Sequence, residues 1–530
     1  MKNKFLFLSS CLLSTILLFS CKDNSKGANE KAPEVTAQSD TDFRPDFHFT
    51  PKENWMNDPN GMFFLNGTYH LFFQYYPDGN TWGPMHWGHA TSKDLIKWEE
   101  QPIALFPDEK GYIFSGSAVV DTENTSGLGD GITPPVIAMF TYHNMEGEKA
   151  GREDYQTQAI AYSLDEGKTF TKYSGNPVIE NPGVKDFRDP KMTWDEKRRQ
   201  WLMVLSADDQ SMIYSSKNLL EWELLSEFGK GFAAQGGVWE CPDFFPMKVE
   251  GSNDEKWVLI QSLNPGAYNG GSGTQYFVGD FDGKTFTPDE SMADLKEDHS
   301  YWLDFGKDNY AGVTWSNIPE TDGRKLFIGW MSNWQYATVV PTETWRSAMT
   351  IAREIKLTKT GETYRMVSTP VVELQKYLDK EFTKNTITVK GETKLATSKE
   401  IDLSKSVISF EIEDLKDQEY HFSLSSEGDD VLKFGYDHTA GEFYIDRRKS
   451  GQTDFNENFS DKISKAPRIS KASNLKVIAV LDNMSIELFF DKGETVMTEI
   501  FFPNQPISSF SAKGNEFSIK NLKINQVKLN

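Results

Sequence analysis

A short turn that occurs four times constrains the fold more than any other feature of the sequence. Residues 91–98, TSKDLIKW, recur as residues 215–222, SSKNLLEW. A related turn, DEGKTF at residues 165–170, recurs as DGKTF at residues 282–286. The aromatic residues that close the four copies are 72, 52 and 64 residues apart: Trp98, Phe170, Trp222 and Phe286. Such spacings suit the four-stranded blades of a β-propeller, each copy being a polar turn before an inward-packing aromatic side chain.

The region that contains these turns consists of short β-type runs and has little helical pattern. Aromatic and branched residues, which strands favour, dominate runs such as residues 69–73 and 325–330. The four copies and the strands up to residue 357 leave room for a fifth blade. We therefore predict that residues 43–365 form a five-bladed β-propeller. A β-sandwich whose turns are alike by chance is the alternative.

The last part of the chain has a different character. All 14 tryptophans lie between Trp55 and Trp345, so the C-terminal region contains none. Residues 406–413 alternate between apolar and polar with period two, as a half-buried strand does. Such strands at short spacing predict a β-sandwich at residues 381–530, joined to the propeller by a connector at residues 366–380. The predicted fold class is therefore all-β, with two domains.

The N-terminal residues are typical of an export signal followed by a tether. A basic start precedes an apolar run at residues 5–19, which is too short to predict a membrane span. The run ends in LFSC, which resembles a bacterial lipoprotein box, where cleavage before Cys21 leaves that cysteine to be acylated. We predict a lipoprotein signal peptide at residues 1–21 and a flexible tether at residues 22–42. The mature chain is then anchored to the bacterial cell envelope, at either its periplasmic or its outer face, with an ordinary signal peptide as the alternative.

Charge and composition exclude several classes of function. Lys and Arg number 56 against 78 Asp and Glu, and the net charge of −22 argues against nucleic acid or an anionic membrane surface as a partner. The three cysteines are too few and too scattered for a disulfide framework or a four-ligand zinc site. His86 and His89 have the spacing of a metal pair, but no third ligand is evident. We therefore predict no metal and no cofactor, and the oligomeric state stays open.

Three segments place an acid beside a proline or glycine turn: WMNDPNG at residues 55–61, FRDP at residues 187–190 and WECPD at residues 239–243. The strand ends at one face of a propeller converge, so acids distant in sequence can meet there. Glycosidic cleavage needs two carboxylates on opposite sides of a sugar ring, one ionised and one holding a proton. Each segment alone is also common turn chemistry. Together they give three candidate catalytic acids: Asp58, Asp189 and Glu240.

The same segments resemble glycoside hydrolase family 32, the β-fructofuranosidases. The matching residues follow one another in order along the chain: residues 55–61, Gln74 and residues 82–89, 114–117, 188–190 and 240–242. Residues 329–336 resemble the bacterial levanase and exo-inulinase branch of the family. Residues 485–489 resemble its sandwich motif, with Ile486 and Leu488 in place of the usual valines. The resemblance covers about residues 45 to 530 and implies a five-bladed propeller that carries the site, followed by a β-sandwich.

The resemblance also implies roles for individual residues. Asp58 would be the nucleophile, and Glu240 the general acid and then the base. Asp189, held by Arg188, would bind fructose hydroxyls and stabilise the transition state. Cys241, next to the acid, would either tune Glu240 or be a buried structural cysteine. The residues expected to bind the terminal fructose are Trp55, Asn57, Gln74, Trp82, Phe114, Ser115, Arg188 and, as a wall of the pocket, Trp330.

The predicted function is that of a retaining, exo-acting glycosidase that releases fructose from levan or inulin and from sucrose. An endo-levanase, an invertase acting chiefly on sucrose and a fructosyl transferase are alternatives within the enzyme class. A surface fructan-binding lipoprotein is the alternative outside it. Retention of the proton donor Glu240 argues against that alternative, since a binding protein does not need one. The sequence does not select between β-2,6 and β-2,1 linkages, because subsite shape depends on loops that it does not place.

Overall fold

The computed structural model describes residues 43–529, and the predicted signal peptide and tether lie outside the described residues. The first blade contains β1 (Asn54–Leu65), β2 (Thr68–Tyr76), β3 (His86–Ser92) and β4 (Trp98–Leu105). The second contains β5 (Tyr112–Val120), β6 (Val136–His143), the one-turn helix α1 (Met145–Lys149), β7 (Gln156–Ser163) and β8 (Thr171–Lys172). The third contains β9 (Phe187–Asp195), β10 (Gln200–Ala207), β11 (Gln210–Ser216) and β12 (Glu223–Phe228).

Two further blades complete the N-terminal region. The fourth contains β13 (Val238–Lys248), β14 (Glu255–Asn264), β15 (Gly273–Phe281) and β16 (Phe286–Pro288). The later strands are β17 (Tyr310–Thr314), β18 (Lys325–Met331), β19 (Trp345–Arg346), β20 (Ala348–Met349), β21 (Arg353–Thr360) and β22 (Thr363–Pro370). Of these, β17, β18, β21 and β22 are the fifth blade, β20 pairs with β18, and β19 joins the sheet of the first blade. Short 3-10 helices occur at Glu290–Met292, Ala337–Val339, Val372–Tyr377 and Asp491–Gly493.

The five blades form a closed ring around a channel. In each blade the strands pair in chain order, and each first strand contacts the first strand of the next blade. The ring closes where the fifth blade meets the first: the Phe64 amide donates to the Ser316 carbonyl at 3.0 Å, and the Ser316 amide donates to the Met62 carbonyl at 3.1 Å. Parallel pairing of β1 with β19 adds to this closure.

The repeated turns occupy equivalent places in the blades, each between the third and fourth strands. In the first copy the Ser92 hydroxyl accepts from the Leu95 amide at 2.8 Å, and the Trp98 indole donates to the Leu95 carbonyl at 3.1 Å. The same two contacts, at the same distances, recur at the amide and carbonyl of Leu219. Leu95 and Leu219 also share a left-handed backbone, with φ of 67° and 62°. The repeat is thus one local turn structure used in different blades, and the propeller prediction is confirmed.

The C-terminal region is one continuous ten-stranded sheet that folds over on itself. Its strands are β23 (Leu378–Thr397), β24 (Ser406–Ile412), β25 (Glu419–Ser426), β26 (Val431–Asp437), β27 (Glu442–Lys449), β28 (Ser464–Pro467), β29 (Leu475–Asp482), β30 (Ser485–Phe490), β31 (Thr495–Ile500) and β32 (Ile507–Val527). The long strand β32 pairs with β25 along its first part and with β24 along its last part. Phe443 of β27 stacks on Phe490 of β30 with centroids 3.8 Å apart, so the two halves face each other as a sandwich.

A buried ionic network joins the propeller to the sandwich. His48 lies 2.9 Å from Asp482 through Nδ1 and 2.8 Å from Glu487 through Nε2. Arg353 binds Glu487 through Nε at 3.1 Å and Asp304 through Nη1 at 2.9 Å. Burial alone would lower the pKa of His48, but its two carboxylate partners raise that pKa to about 9. We call these five residues the interface network, and its acids are paired with cations inside the protein.

Within the described part of the chain, no helix is both long enough and apolar enough to cross a bilayer.

Candidate active site

The three candidate acids lie on the first strands of three different blades and meet at one end of the channel. Asp58 is on β1, Asp189 on β9 and Glu240 on β13. They line a cavity of about 210 Å³. All the other predicted site residues except Trp55 and Trp330 line the same cavity: Asn57, Gln74, Trp82, Phe114, Ser115 and Arg188. The ring therefore brings together side chains that are far apart in sequence.

A β-bulge interrupts each first strand where it passes the cavity. The register with the second strand shifts between Met56 and Pro59, Ile113 and Gly116, Arg188 and Lys191, Glu240 and Asp243, and Tyr310 and Val313. Three residues within these bulges have a left-handed backbone, with φ of 63° at Asp189, 46° at Cys241 and 54° at Ala311. Bulges bend a strand and redirect its side chains, and such strained backbone persists where regular pairing around it holds it. The blades thus support an irregular backbone at the cavity.

The Asp58 carboxylate is held by hydrogen bonds to both of its oxygens. Its Oδ2 accepts from the Ser115 hydroxyl at 2.7 Å and from the Cys241 thiol at 3.4 Å. Its Oδ1 accepts from the Asn57 amide nitrogen at 3.0 Å. The Trp55 indole donates to the Asn57 side-chain oxygen at 2.8 Å, which directs the Asn57 N–H toward Asp58. Trp55 is fully buried, so it acts through Asn57 and does not line the cavity.

Both oxygens of Glu240 are engaged as well. Oε1 accepts from Nε and Nη2 of Arg188 at 3.3 and 3.0 Å, and Oε2 is hydrogen-bonded to the Tyr310 hydroxyl. Arg188 also donates to Asp186 at 2.5 Å through Nη1. Burial alone would raise the pKa of Asp186, but Arg188 holds that pKa below its ordinary value. Arg188 is therefore a fixed link between Glu240 and Asp186.

The Asp189 carboxylate is held by one backbone amide. Its Oδ2 accepts from the Cys241 amide at 3.0 Å, and Cys241 Sγ lies 3.6 Å from the same oxygen, so the one S–H of Cys241 lies between two of the acids. Its own amide donates to the Thr141 hydroxyl at 3.1 Å. Arg188 Nε lies 4.0 Å from Asp189 Oδ2, whereas the hydrogen bonds of Arg188 described above go to Glu240 and Asp186. Cys241 is the free, buried cysteine of the described residues.

The electrostatics of the cavity leave negative charge uncompensated. Burial raises the pKa of Asp58, and the neighbouring charge of Glu240 raises it further. Burial also raises the pKa of Asp189. The negative charges of Glu240 and Asp58 raise this pKa further, whereas the positive charge of Arg188 lowers it. Arg188 is the only lysine or arginine among the described residues that line the cavity. Buried acids with raised pKa values around one cation are typical of catalytic sites.

Aromatic side chains form the cavity walls, and one of them differs from the sequence prediction. Trp82 packs edge-on against Phe114 with centroids 6.0 Å apart, and both are partly exposed. Trp330 is fully buried in β18 and lies behind Trp334, whose ring centroid is 4.9 Å away. Trp334 lines the cavity and stacks on Trp55. The wall position predicted for Trp330 therefore belongs to Trp334, because Trp330 still belongs to the strand and faces the core.

Further cavity residues were missed by the sequence analysis: His143, Glu148, Gln156 and Asp186. Asp186 lies directly before β9 and has a left-handed backbone with φ of 54°, so no strand pattern places it beside Arg188. The other three lie at the ends of β6 and β7 and on α1, in a connection that no recognised motif covers. Tyr310 was also missed, although the ring symmetry implies one site residue on the first strand of each blade.

Other candidate sites are not supported as centres of chemistry. The described residues contain no cluster of His, Cys, Asp and Glu that could hold a metal ion. His86 contacts the Pro84 carbonyl and His89 contacts His70, so these two histidines have separate structural partners. A larger hollow of about 1030 Å³ lies toward the other end of the first strands, lined by segments such as residues 191–194. It contains none of the predicted site residues.

Comparisons with known proteins agree with this geometry. Residues 48–370 match the glycosyl hydrolases family 32 N-terminal domain, and residues 373–526 match the family 32 C-terminal domain. A levanase of Bacillus subtilis is 46% identical over 495 residues, covering 92% of this chain and 71% of the relative. An extracellular exo-inulinase of Aspergillus niger is 39% identical over 497 residues, covering 88% of this chain and 90% of the relative.

Solved structures give the same answer. The exo-inulinase of Aspergillus awamori superposes with a TM-score of 0.82 at 35% identity, covering 92% of this chain and 98% of that one. A β-fructofuranosidase of Schwanniomyces occidentalis complexed with fructosyl-erythritol has a TM-score of 0.82 at 32% identity, covering 93% and 99%. Both family domains are thus present in order, and the carboxylates lie together in the propeller. The chain belongs to glycoside hydrolase family 32.

Proposed function

We propose that this enzyme hydrolyses the β-fructosidic bond at the end of fructans such as levan and inulin, and that of sucrose, and releases fructose. The observation that carries the proposal is the set of three carboxylates, Asp58, Asp189 and Glu240, in one small cavity. Relatives named levanase and exo-inulinase support the substrate class. The presence of all three acids in the cavity supports hydrolysis over binding alone, because a binding site needs neither a proton donor nor a nucleophile.

The proposed reaction has two steps. Asp58 attacks the anomeric carbon of the terminal fructose while Glu240 gives its proton to the departing glycosidic oxygen, which forms a fructosyl ester on Asp58. Glu240 then takes a proton from water, whose oxygen attacks the same carbon and releases fructose with Asp58 restored. Ser115 and Asn57 hold the attacking carboxylate in one orientation. Two displacements at one carbon retain its configuration.

The remaining contacts assign supporting roles. Asp189 is placed to accept hydrogen bonds from fructose hydroxyls that strengthen as positive charge develops on the ring. Arg188 and Tyr310 hold both oxygens of Glu240, so the acid has one orientation. The Tyr310 hydroxyl can donate to the ionised form of Glu240 and accept from the protonated form. Tyr310 is thus a positioning residue in this scheme.

The size of the cavity favours exo action. A volume of about 210 Å³ is below the range of roughly 300 to 1,000 Å³ that is usual for drug-sized ligands. Such a space suits one sugar unit beside Asp58, Asp189 and Glu240, which we call the catalytic floor. The partly exposed rings of Trp82, Phe114 and Trp334 suit the apolar face of that unit. An endo-acting enzyme needs an open cleft in which several units lie on both sides of the cleaved bond.

Product analysis tests the proposal. Purified protein is incubated with levan, inulin and sucrose, and the products are resolved at the earliest times. Free fructose without intermediate oligosaccharides is expected from both polymers. Early oligosaccharides would overturn the exo mode, and no product from any substrate would favour a binding protein. Glu240→Gln, prepared in parallel, is the control for contaminating activity.

We also propose that the enzyme is an exported lipoprotein held to the envelope through Cys21. The support is the apolar run that ends in LFSC and the polar, aromatic-free stretch at residues 22–42. Cys21→Ala is expected to move the protein from the membrane fraction to the soluble fraction. Cys11→Ala, inside the apolar run, is the matched control and should leave the fractionation unchanged. Membrane retention of Cys21→Ala would contradict the anchor.

A further inference from the structure

One wall of the cavity is polar and has no role in the reaction described above. His143 is the last residue of β6, Glu148 lies on α1 and Gln156 is the first residue of β7. All three line the cavity that contains the catalytic acids. They form the β6–β7 connection of the second blade, whereas the acids lie on first strands of other blades. This wall is therefore built separately from the catalytic floor.

The three side chains form a directed hydrogen-bonded chain. The Gln156 side-chain nitrogen lies 3.1 Å from His143 Nδ1, and His143 Nε2 lies 3.1 Å from Glu148 Oε2. An amide N–H can only donate, so Nδ1 accepts and Nε2 carries the proton that is donated to Glu148. The imidazole also stacks on Phe114 with centroids 4.1 Å apart, and burial lowers its pKa to about 4. At neutral pH a neutral, immobile ring thus fixes the direction of Glu148.

These hydrogen bonds leave two oxygen atoms that can accept a hydrogen bond from a ligand. The described contacts engage Oε2 of Glu148 and leave its other oxygen without a donor. The side-chain oxygen of Gln156 is buried and has no hydrogen-bond partner among the described residues, although Gln156 lines the cavity. A buried amide oxygen without a donor is costly, so a partner from the ligand is favoured. Sugar hydroxyls are such donors.

The exposure of the carboxylates orders them from the floor to the mouth of the cavity. The side chain of Asp189 is 5% exposed, that of Glu240 21% and that of Glu148 45%. A terminal fructose bound beside Asp189 and Glu240 would direct the next sugar unit toward the mouth of the cavity, where Glu148 lies.

We propose that Glu148 accepts a hydrogen bond from a hydroxyl of the sugar unit next to the terminal fructose, with His143 and Gln156 fixing its position. Glu148 is then a specificity-determining residue for the leaving side of the bond, and it makes cleavage depend on the unit that is released. This inference rests on the proposed function, because it requires a fructosyl substrate on the catalytic floor.

The test compares two substrates that share the terminal fructose. Inulobiose or levanbiose, whichever the wild type cleaves faster, carries a second fructose with hydroxyls, whereas methyl β-fructofuranoside carries a methyl group in its place. In Glu148→Ala, kcat/KM for the disaccharide should fall about ten- to a hundredfold more than kcat/KM for the methyl glycoside, as expected for a lost charged hydrogen bond. Glu148→Gln should lose less than Glu148→Ala. Glu146→Ala, an exposed residue of the same helix, is the matched control.

Each outcome decides the inference. A larger loss of kcat/KM for the disaccharide than for the methyl glycoside supports it. If the ratio of these two kcat/KM values is the same in Glu148→Ala as in the control Glu146→Ala, the inference is overturned. Equal losses for both substrates are one such result, since they would mean that Glu148 acts on the terminal fructose or on the fold. If the wild type cleaves neither substrate, the proposed function fails first, and that result differs from any change in the ratio.

Discussion

The protein buries acids in two places, and the two places treat them in opposite ways. In the interface network, Glu487 is bound by both Arg353 and His48. Burial alone would raise the pKa of Glu487, but these two cations hold it below its ordinary value. In the cavity, Asp58 and Glu240 are neighbours, and burial raises the pKa of Asp58. In the first arrangement each acid contacts a cation, whereas in the second a single arginine lies among several acids.

The difference separates structure from chemistry. A compensated acid is fixed as an anion and contributes to the docking of two domains. An acid whose ionised form is opposed by burial and by a like charge can change protonation or bond to carbon at a moderate cost. Both regions contain buried acids. The charged neighbours of these acids, not their burial, distinguish the two regions.

The largest effect is expected from the cavity acids. Asp58→Asn and Glu240→Gln should each lower kcat by at least about 10³-fold, because each removes the nucleophile or the proton donor. The measurement is initial-rate kinetics on inulin and levan, with circular dichroism to check the fold. Near-normal turnover in either variant would show that the wrong carboxylates have been assigned. Glu487→Gln, if it still folds at the assay temperature, should retain kcat.

A substitution in the interface network should lower the free energy of unfolding. Glu487→Gln removes the buried carboxylate shared by Arg353 and His48 and leaves each cation with one remaining partner, Asp304 and Asp482 respectively. A loss of about 3 to 5 kcal/mol in the free energy of unfolding is expected. Urea unfolding followed by tryptophan fluorescence measures it. The surface variant Glu381→Gln is the control and should leave the midpoint unchanged, and an equally unchanged midpoint in Glu487→Gln would break the comparison.

The pH dependence of stability should report His48. Its pKa is raised from 6.5 to about 9 in the folded protein, so its contribution is fully present below about pH 6.5 and is lost as the pH rises through 9. The shift corresponds to up to about 3 kcal/mol. Urea unfolding at pH 6 and pH 9.5 measures the loss, and His48→Gln should flatten this dependence. A wild type that is equally stable at both values would contradict the pairing of His48 with Asp482 and Glu487.

The smallest expected effect is that of Asp58→Asn on the free energy of unfolding, and its sign is opposite to that of Glu487→Gln. Because the pKa of Asp58 is raised in the folded state, its ionisation opposes folding as the pH rises through that value. At pH 7, Asp58→Asn should therefore raise the free energy of unfolding by about 1 kcal/mol. The measurement is again urea unfolding, with the Ser115→Ala variant as a check on the loss of a local hydrogen bond. A destabilised Asp58→Asn would mean that the cavity, too, compensates its acids.

The sequence predicted those features whose contacts are local or whose motifs are specific. The repeated turns were readable because Trp98 bonds to a carbonyl only three residues away. The acids were found as three segments, and the ring of blades then explained why they meet. The alternation at residues 406–413 correctly indicated a half-buried strand, which is β24.

The rest depends on how distant segments pack. Trp330 and Trp334 occur in one segment, and only the end of β18 at Met331 decides which of them reaches the cavity. His48 and Glu487 are 439 residues apart, so no local pattern could pair them. Tyr310 has no motif of its own and is recognised only by its contact with Glu240. In each case the missing information was how segments of the chain lie relative to one another in space.

The closure of the ring has a consequence for biosynthesis. The strand that carries the nucleophile, β1, pairs on one side with β2 and on the other with β19, almost 300 residues later in the chain. Until residues 345–346 are made, one edge of β1 has no partner there and the first blade cannot be completed. The nucleophile is therefore synthesised almost 300 residues before the strand that completes its sheet. Chains truncated before residue 345 should therefore be catalytically silent.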